Sequence, residues 1–299
     1  MKKRVIIIGG GVIMRHYAEG LKKSNAVEAV ALCDLDENCP ARELFCDLPF
    51  FTDYQEAIEV CAPDGAIVAT NVRSHAEIAK NCLKAGLHVY VEKPLCTDGE
   101  TLDDLYEAAT KAEKNLTALF HWKFADEVLF LKGYVAGKKI RRIAACIGDD
   151  YACEPIGRIR KDRIGLSGAW FDSGINVLSY VQELLPLEGV RLVEKEARID
   201  DSCSLPYYAR RIYDAGGTEL EIVVDWTIPS RKKTSVIELE GETLYVDHTA
   251  QRIERDGEVI FESKVPDRLA SHYKNMFARA MDADADEESR LLHEILLQG

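Results

Sequence analysis

From Arg4 to Phe120 the chain alternates short, predominantly apolar runs rich in β-branched residues with longer stretches that are apolar at helical spacing. The runs are RVIII (4–8), AVEAVALCD (26–34), AIVAT (66–70), HVYVE (88–92) and LTALF (116–120); between them lie a helical pattern around Tyr17 to Lys23, SHAEIAKNCLKAG (74–86) and GETLDDLYEAATKAEK (99–114). A strand that is apolar throughout is covered on both faces, and a helix joining two parallel strands crosses over in the right-handed sense. The pattern therefore predicts an open, doubly wound parallel α/β sheet.

Such sheets bind ligands outside the carboxyl ends of their strands. The first run ends in Gly9-Gly10-Gly11-Val12-Ile13-Met14, which supplies two glycines of a G-x-G-x-x-G turn but has Met14 at the third. The first two permit a tight turn and let backbone N–H groups approach a pyrophosphate at a helix N-terminus; the third permits close helix–strand packing. At the end of VALCD stands Asp34, where a carboxylate accepts from an adenosine ribose 2′-hydroxyl. The same charge repels a 2′-phosphate, and neither Leu35 nor Asp36 offers a cation. NAD is thus expected over NADP.

Beyond Phe124 the pattern changes. A helix over about 126–137 leads to RRIAACIGDDY, and then VRLVEKEARID, YYARRIYDA, TELEIVVDWTI, TSVIELEG, ETLYVD and EVIFES read as strands. The connections at Gly216-Gly217, Gly241 and Gly257 read as hairpin turns, so this second sheet is expected to be largely antiparallel with one face toward helices. A helical tail is expected from about Asp267 to Gln298, with DADADEE inside it as a solvated loop. The domain boundary is placed near 120, giving a dinucleotide-binding domain over 1–120 and an α+β substrate domain over 121–299.

Several stretches together resemble one family: the glycine turn, TDYQEAI (52–58), the segment from Ala69 to His75, AGLHVYVEKPL (85–95) and GAWFDSGINVL (168–178). They are similar to the glucose-fructose oxidoreductase / inositol dehydrogenase / rhizopine-catabolism (Gfo/Idh/MocA) dehydrogenases, over essentially the whole length. The resemblance implies a Rossmann domain followed by a mostly antiparallel sheet domain that holds the substrate. It implies that Gly9, Gly11, Val12, Ile13 and Asp34 contact the cofactor, joined by Thr70, Asn71, His75, Glu92 and Lys93. Lys93 also becomes the candidate acid or base, and a positive nicotinamide beside it disfavours the ammonium form.

In many members the second segment ends Asp-x-x-x-His, with the histidine as proton acceptor. Here Asp172 is followed by Asn176, and an amide takes up no proton at neutral pH. The pattern Phe-Asp-x-Gly-Ile-Asn resembles instead the L-arabinose / D-galactose 1-dehydrogenases, which oxidise an aldose at C1 to the lactone. An anomeric hydroxyl is more acidic than an ordinary secondary alcohol, so a weaker acceptor suffices. Lys93 and Asp172 then manage the proton while Asn176 positions O1, or Asp172 takes the proton alone. Trp122, Lys123, Asp149 and Asp150 are candidate substrate contacts. The basic run RIRKDR (158–163) is either a solvated loop or a contact for a substrate phosphate. Other polyols, keto sugars or sugar nucleotides, and a non-catalytic nucleotide-binding regulator, remain alternatives.

Composition narrows the partners. With 38 Lys and Arg against 51 Asp and Glu the net charge is −13, which opposes nucleic acid as a partner. Nine cysteines with no CxxC pair argue against a disulfide framework or structural zinc, and the histidines show no metal-ligand spacing. MKKRVIIIGGG has too short an apolar core for a signal peptide, and no run reaches membrane-spanning length. A cytoplasmic homodimer or homotetramer acting on a small sugar or polyol is the expectation.

Overall fold

The computed structural model describes residues 2–153, 157–279 and 285–298. The chain separates into two compact units, Met1–His121 with Leu269–His293, and Trp122–Arg268 with Glu294–Gly299.

The first unit runs β1 (Lys3–Ile8), α1 (Met14–Lys23), β2 (Val27–Cys33), α2 (Ala41–Leu44), β3 (Phe50–Phe51), α3 (Tyr54–Cys61), β4 (Gly65–Val68), α4 (Val72–Lys84), β5 (His88–Glu92), α5 (Gly99–Ala112) and β6 (Leu116–Leu119). Its six strands are parallel in the order β3-β2-β1-β4-β5-β6. Chain order reverses between β1 and β4, so the crevice at their carboxyl ends is the switch point where such sheets take ligands. Val5, Ile6, Ile7, Ile67, Val68, Val89 and Val91 are all fully buried, each contributing about 1.5–3 kcal/mol relative to exposure. Side-chain caps start three helices: Asp53 accepts from Gln55 N–H, Asn71 from Arg73 N–H and Asp98 from Thr101 N–H.

The second unit begins with a short turn at Trp122–Phe124 and then α6 (Asp126–Val135), β7 (Ile140–Gly148), β8 (Ala152–Cys153) and β9 (Arg158–Ile159). A π-helical turn, Trp170–Gly174, runs directly into α7 (Ile175–Val181). The remaining strands are β10 (Arg191–Asp200), β11 (Leu205–Ala215), β12 (Thr218–Asp225), β13 (Lys233–Leu239), β14 (Thr243–Asp247), β15 (Arg252–Arg255) and β16 (Glu258–Glu262). They form an eight-stranded sheet, β10-β11-β12-β7-β13-β14-β15-β16, antiparallel except where β12 meets β7. The hairpin glycines 216, 217, 241 and 257 all have positive φ, as the turn reading requires. One sheet face is buried at alternate positions; the other is half-exposed.

The tail forms α8 (Arg268–Arg279) and α9 (Ala285–Gln298). The solvated loop expected over DADADEE is corrected in part: residues 282–284 lie outside the described residues, and α9 begins at Ala285. Asp286 is half-buried and accepts from Leu116 N–H at 3.1 Å and from the Thr117 hydroxyl. Burial pushes its carboxyl up. Among the described residues no helix is long and apolar enough to cross a membrane.

Candidate active site

The glycine turn after β1 is shaped by contact. Gly9 has φ +107°, and a Cβ there would lie 2.5 Å from the Ala69 carbonyl oxygen; at Gly10 it would lie 2.3 Å from Cys39 Sγ. A Cβ at Gly11 meets nothing within 4 Å. Gly9 and Gly10 therefore serve the turn itself, whereas Gly11 leaves the helix N-terminus open, as a backbone cradle for phosphate requires. Met14 sits fully buried in the first turn of α1, filling with side chain the place where a third glycine would let helix and strand close up. Asp34 accepts from Gly10 N–H at 2.6 Å and from Asp36 N–H at 2.8 Å. Its carboxylate thereby ties the ends of β1 and β2 together, and each oxygen retains a lone pair for a ribose hydroxyl.

At the end of β5, buried side chains hold the turn Glu92-Lys93-Pro94-Leu95. Glu92 accepts Lys93 N–H at 2.7 Å and the hydroxyls of Tyr17 and Tyr273 at 2.9 and 3.2 Å. His75 Nδ1 lies 2.9 Å from the Pro94 carbonyl oxygen and its Nε2 3.1 Å from that of Thr70. His293 Nε2 accepts Leu95 N–H at 2.8 Å, while its Nδ1 donates to the Ser289 carbonyl at 2.6 Å. That pair of bonds fixes the neutral Nδ1–H tautomer. Burial drives the His293 pKa down to about 4, helped by nearby His75. Burial also lowers His75, although its two carbonyl contacts favour the cation. Thr70 and Asn71 lie just before α4, where Asn71 caps the helix and the Thr70 hydroxyl meets Ser74 Oγ at 2.9 Å. Lys93 is thus carried on a turn whose neighbouring backbone groups are bonded to fixed side chains. The Lys93-Pro94 peptide is cis.

In the second unit Asp172 lies in a π-helical turn and Asn176 in α7, which follows it directly; such local widening recurs at functional sites. Two glycines permit it. Gly168 has φ +91° and a Cβ there would lie 2.6 Å from Pro206 Cδ; a Cβ at Gly174 would lie 2.6 Å from the Trp170 ring. Asn176 Nδ2 donates to the Asp172 carbonyl at 3.1 Å, and its Oδ1 is buried with no hydrogen-bond partner. The amide is thereby oriented by its own backbone and presents an acceptor. Asp149, at the end of β7, is buried and paired with Lys233 Nζ at 2.6 Å. Asp150 is half-exposed and meets Arg160 at 2.6 Å. Trp122 is 2% exposed and packs against Tyr180 and edge-on against His248, centroids 5.4 and 5.1 Å away. Lys123 pairs with Glu183 at 3.2 Å. Burial pushes the Glu183 carboxyl up, but Lys132 and Lys123 outweigh it and leave it lowered.

Residues 3–120 match the profile of the Gfo/Idh/MocA oxidoreductase family, NAD-binding Rossmann fold. That stretch of the chain resembles the NAD-binding domain of this family. The chain is 24% identical over 279 residues to galactose 1-dehydrogenase of Pseudomonas fluorescens, covering 85% of the chain and 84% of that protein. It is 30% identical over 162 residues to myo-inositol 2-dehydrogenase of Thermotoga maritima, 52% of this chain and 48% of the relative. To D-glucoside 3-dehydrogenase of Escherichia coli it is 32% identical over 135 residues, 44% and 38%. The chain thus spans about half or less of the length of these last two. A 3-ketoreductase from Actinomadura kijaniata, crystallised with TDP-benzene and NADP, superposes with a TM-score of 0.80 at 18% identity, over 99% of this chain and 96% of that one. An Agrobacterium radiobacter oxidoreductase in complex with NAD+, L-tartaric acid and magnesium gives 0.80 at 13%, over 100% and 95%. At those identities the two superpositions establish a shared fold.

Sequence reasoning missed residues that the fold brings to these segments. Tyr151 follows the aspartate pair; burial, then the charges of Asp149 and Asp172, raise its phenol. The Arg163 guanidinium lies 4.5 Å from its ring centroid. RIRKDR is therefore not a plain solvated loop: Arg158–Ile159 pairs with β8, and Arg160 and Arg163 are held by Asp150 and Tyr151. Tyr273 and His293 come from the tail, and no motif marks them. Among the described residues no cluster of His, Cys, Asp or Glu is placed to hold a metal.

Proposed function

We propose that this chain is an NAD-dependent dehydrogenase that takes hydride from C1 of a galactose- or arabinose-like aldose and releases the aldonolactone. The observation that carries the reading is Asn176, whose buried Oδ1 has no hydrogen-bond partner, within the segment that resembles the aldose 1-dehydrogenases. Matching of 84% of a galactose 1-dehydrogenase supports the same substrate class.

The residues of the first unit fit a dinucleotide. Gly11, Val12 and Ile13 offer backbone at the start of α1 and Asp34 offers a ribose acceptor, with Asp36 and Glu37 adding negative charge against a 2′-phosphate. When bound there, NAD supplies the hydride acceptor. Lys93 takes the O1 proton as C1 loses its hydride, so that the C1–O bond becomes the lactone carbonyl. Asp172 accepts from a hydroxyl or shares the proton with Lys93. Asn176 fixes O1 by accepting its neighbour's hydroxyl hydrogen, and Asp149, Asp150, Trp122 and Lys123 complete the sugar contacts. The first unit holds the cofactor in this scheme and the second holds the sugar. The protein works in the cytoplasm as a homo-oligomer, joined through the half-exposed sheet face. There Ala144, Cys146, Val223 and Val236 form an apolar strip flanked by the Arg142 and Arg210 ion pairs.

Purified protein assayed for reduction of NAD+ and NADP+ with aldoses, inositols and glucosides tests the reading. NADH formation with galactose or arabinose supports it. Turnover confined to inositols, glucosides or nucleotide sugars replaces the substrate, and tight NAD binding with no turnover on any of them replaces the enzyme with a regulator.

A further inference from the structure

Glu92 is 8% exposed, and three donors converge on its carboxylate: Lys93 N–H at 2.7 Å, Tyr17 Oη at 2.9 Å and Tyr273 Oη at 3.2 Å. The tyrosines come from opposite ends of the chain, Tyr17 from α1 and Tyr273 from α8. Their rings pack at 4.8 Å, and Phe277 closes on Tyr17 at 5.0 Å. The α8 backbone sits close enough to α1 that a Cβ on Gly20 would lie 2.9 Å from the Tyr273 carbonyl oxygen. The fold thus spends a helix–helix contact on bringing a second hydroxyl to one buried carboxylate.

We infer that Tyr17 and Tyr273 are positioning residues which, through Glu92, keep a negative charge beside Lys93 and so set the pH range over which the Lys93 amine carries its proton. Burial alone favours the neutral acid. Hydrogen bonds donated to the charged form oppose that, and an anion a residue away stabilises an ammonium. Burial raises the Glu92 pKa, while Lys93 and the two hydroxyls pull it back. The other titratable groups around the network are His75 from α4, His16 from α1 stacked on Tyr273 at 6.0 Å, and His121 stacked on it at 4.9 Å. His272 joins through His121, Nδ1 to Nδ1 at 3.2 Å. None of these histidines can be an anion, so the negative charge of this group is that of Glu92, which is coupled to Lys93. Removing a hydroxyl lets Glu92 protonate more readily, which withdraws that charge and releases the Lys93 proton at lower pH.

The inference rests on the proton-handling reading of Lys93, and its test does not use turnover. Cyanate carbamylates an amine but not an ammonium, and peptide mass spectrometry reads Lys93 modification across a pH series in the intact chain. The midpoint is expected to fall by about half a unit in Y273F and about one unit in Y17F/Y273F, with E92Q shifting at least as far. In the E92Q background Y273F should add no further shift, because the hydroxyl acts only through the carboxylate. Thermal unfolding accompanies each variant; should the double variant fold poorly, Y273F with and without E92Q decides. Equal midpoints in wild type and Y273F, or a Y273F shift that persists undiminished in E92Q, would overturn the inference. Whether K93M retains turnover is a separate measurement, and it tests the role of Lys93 itself.

Discussion

Asn176 shows how much a single amide is constrained. Its Nδ2 donates one of its two hydrogens to the Asp172 carbonyl, which leaves Oδ1 and a second N–H to offer a substrate. Asn176→Ala is therefore expected to raise KM for the sugar about tenfold to a hundredfold, the cost of one lost hydrogen bond that leaves a partner unsatisfied, with a smaller effect on kcat. Lys93→Met should act in the opposite way, lowering kcat by about 10²–10⁴-fold while the Kd for NAD stays within a few-fold, as isothermal titration would read. Asp34 has two tasks. It accepts from Gly10 and Asp36 N–H and is proposed to accept from the ribose, so Asp34→Ala should both weaken NAD binding, by about tenfold or more, and lower the unfolding temperature. The residue types at 34, 93, 172 and 176 were all legible as chemistry. What remained hidden was the bond that orients the Asn176 amide and the second hydroxyl on Glu92, because both depend on contacts that no spacing encodes.

Elements differ in how plainly the chain announces them. The five long runs of the first sheet become β1, β2, β4, β5 and β6 within a residue or two. The edge strand β3, two residues long, and the four-residue α2 carry too little periodicity to be seen. In the same way β15 hides between two better-marked neighbours, and β8 and β9 are two residues each. The π-helical turn depends on one local contact, Trp170 lying over Gly174, and one distant in sequence, Pro206 over Gly168. Gly168→Ala, at φ +91° and against Pro206, should cost about 1–3 kcal/mol of backbone strain and more for the clash, seen as a lower unfolding temperature. At the turn after β5, His293 must be neutral to accept from Leu95. Its folded pKa near 4 lies below the ordinary 6.5, so the folded state binds fewer protons than the unfolded one between those values. The stability it contributes is complete above about 6.5, declines as pH falls and is lost by about 4. Urea titrations over that interval should show a smaller loss in His293→Gln, which can still accept from Leu95 but does not titrate.

At the scale of the whole molecule, the parallel sheet and the antiparallel sheet were legible, because covered strands and hairpin glycines each impose a local pattern. The return of the tail was not. Residues Leu269–His293 cluster with the first unit, placing Tyr273 and His293 at the Lys93 turn, and amphipathic spacing says only that a helix is buried, not against what. The half-exposed sheet face gives an independent prediction: Val223→Asp with Val236→Asp should reduce the sedimenting mass to that of one chain, with the fold retained by circular dichroism. The most direct test of the account is the initial rate of NADH formation with D-galactose and L-arabinose, wild type beside K93M, in NAD+ and in NADP+. The account predicts wild-type turnover that favours NAD+ and collapses in K93M; NAD+ reduction unchanged in K93M would contradict it.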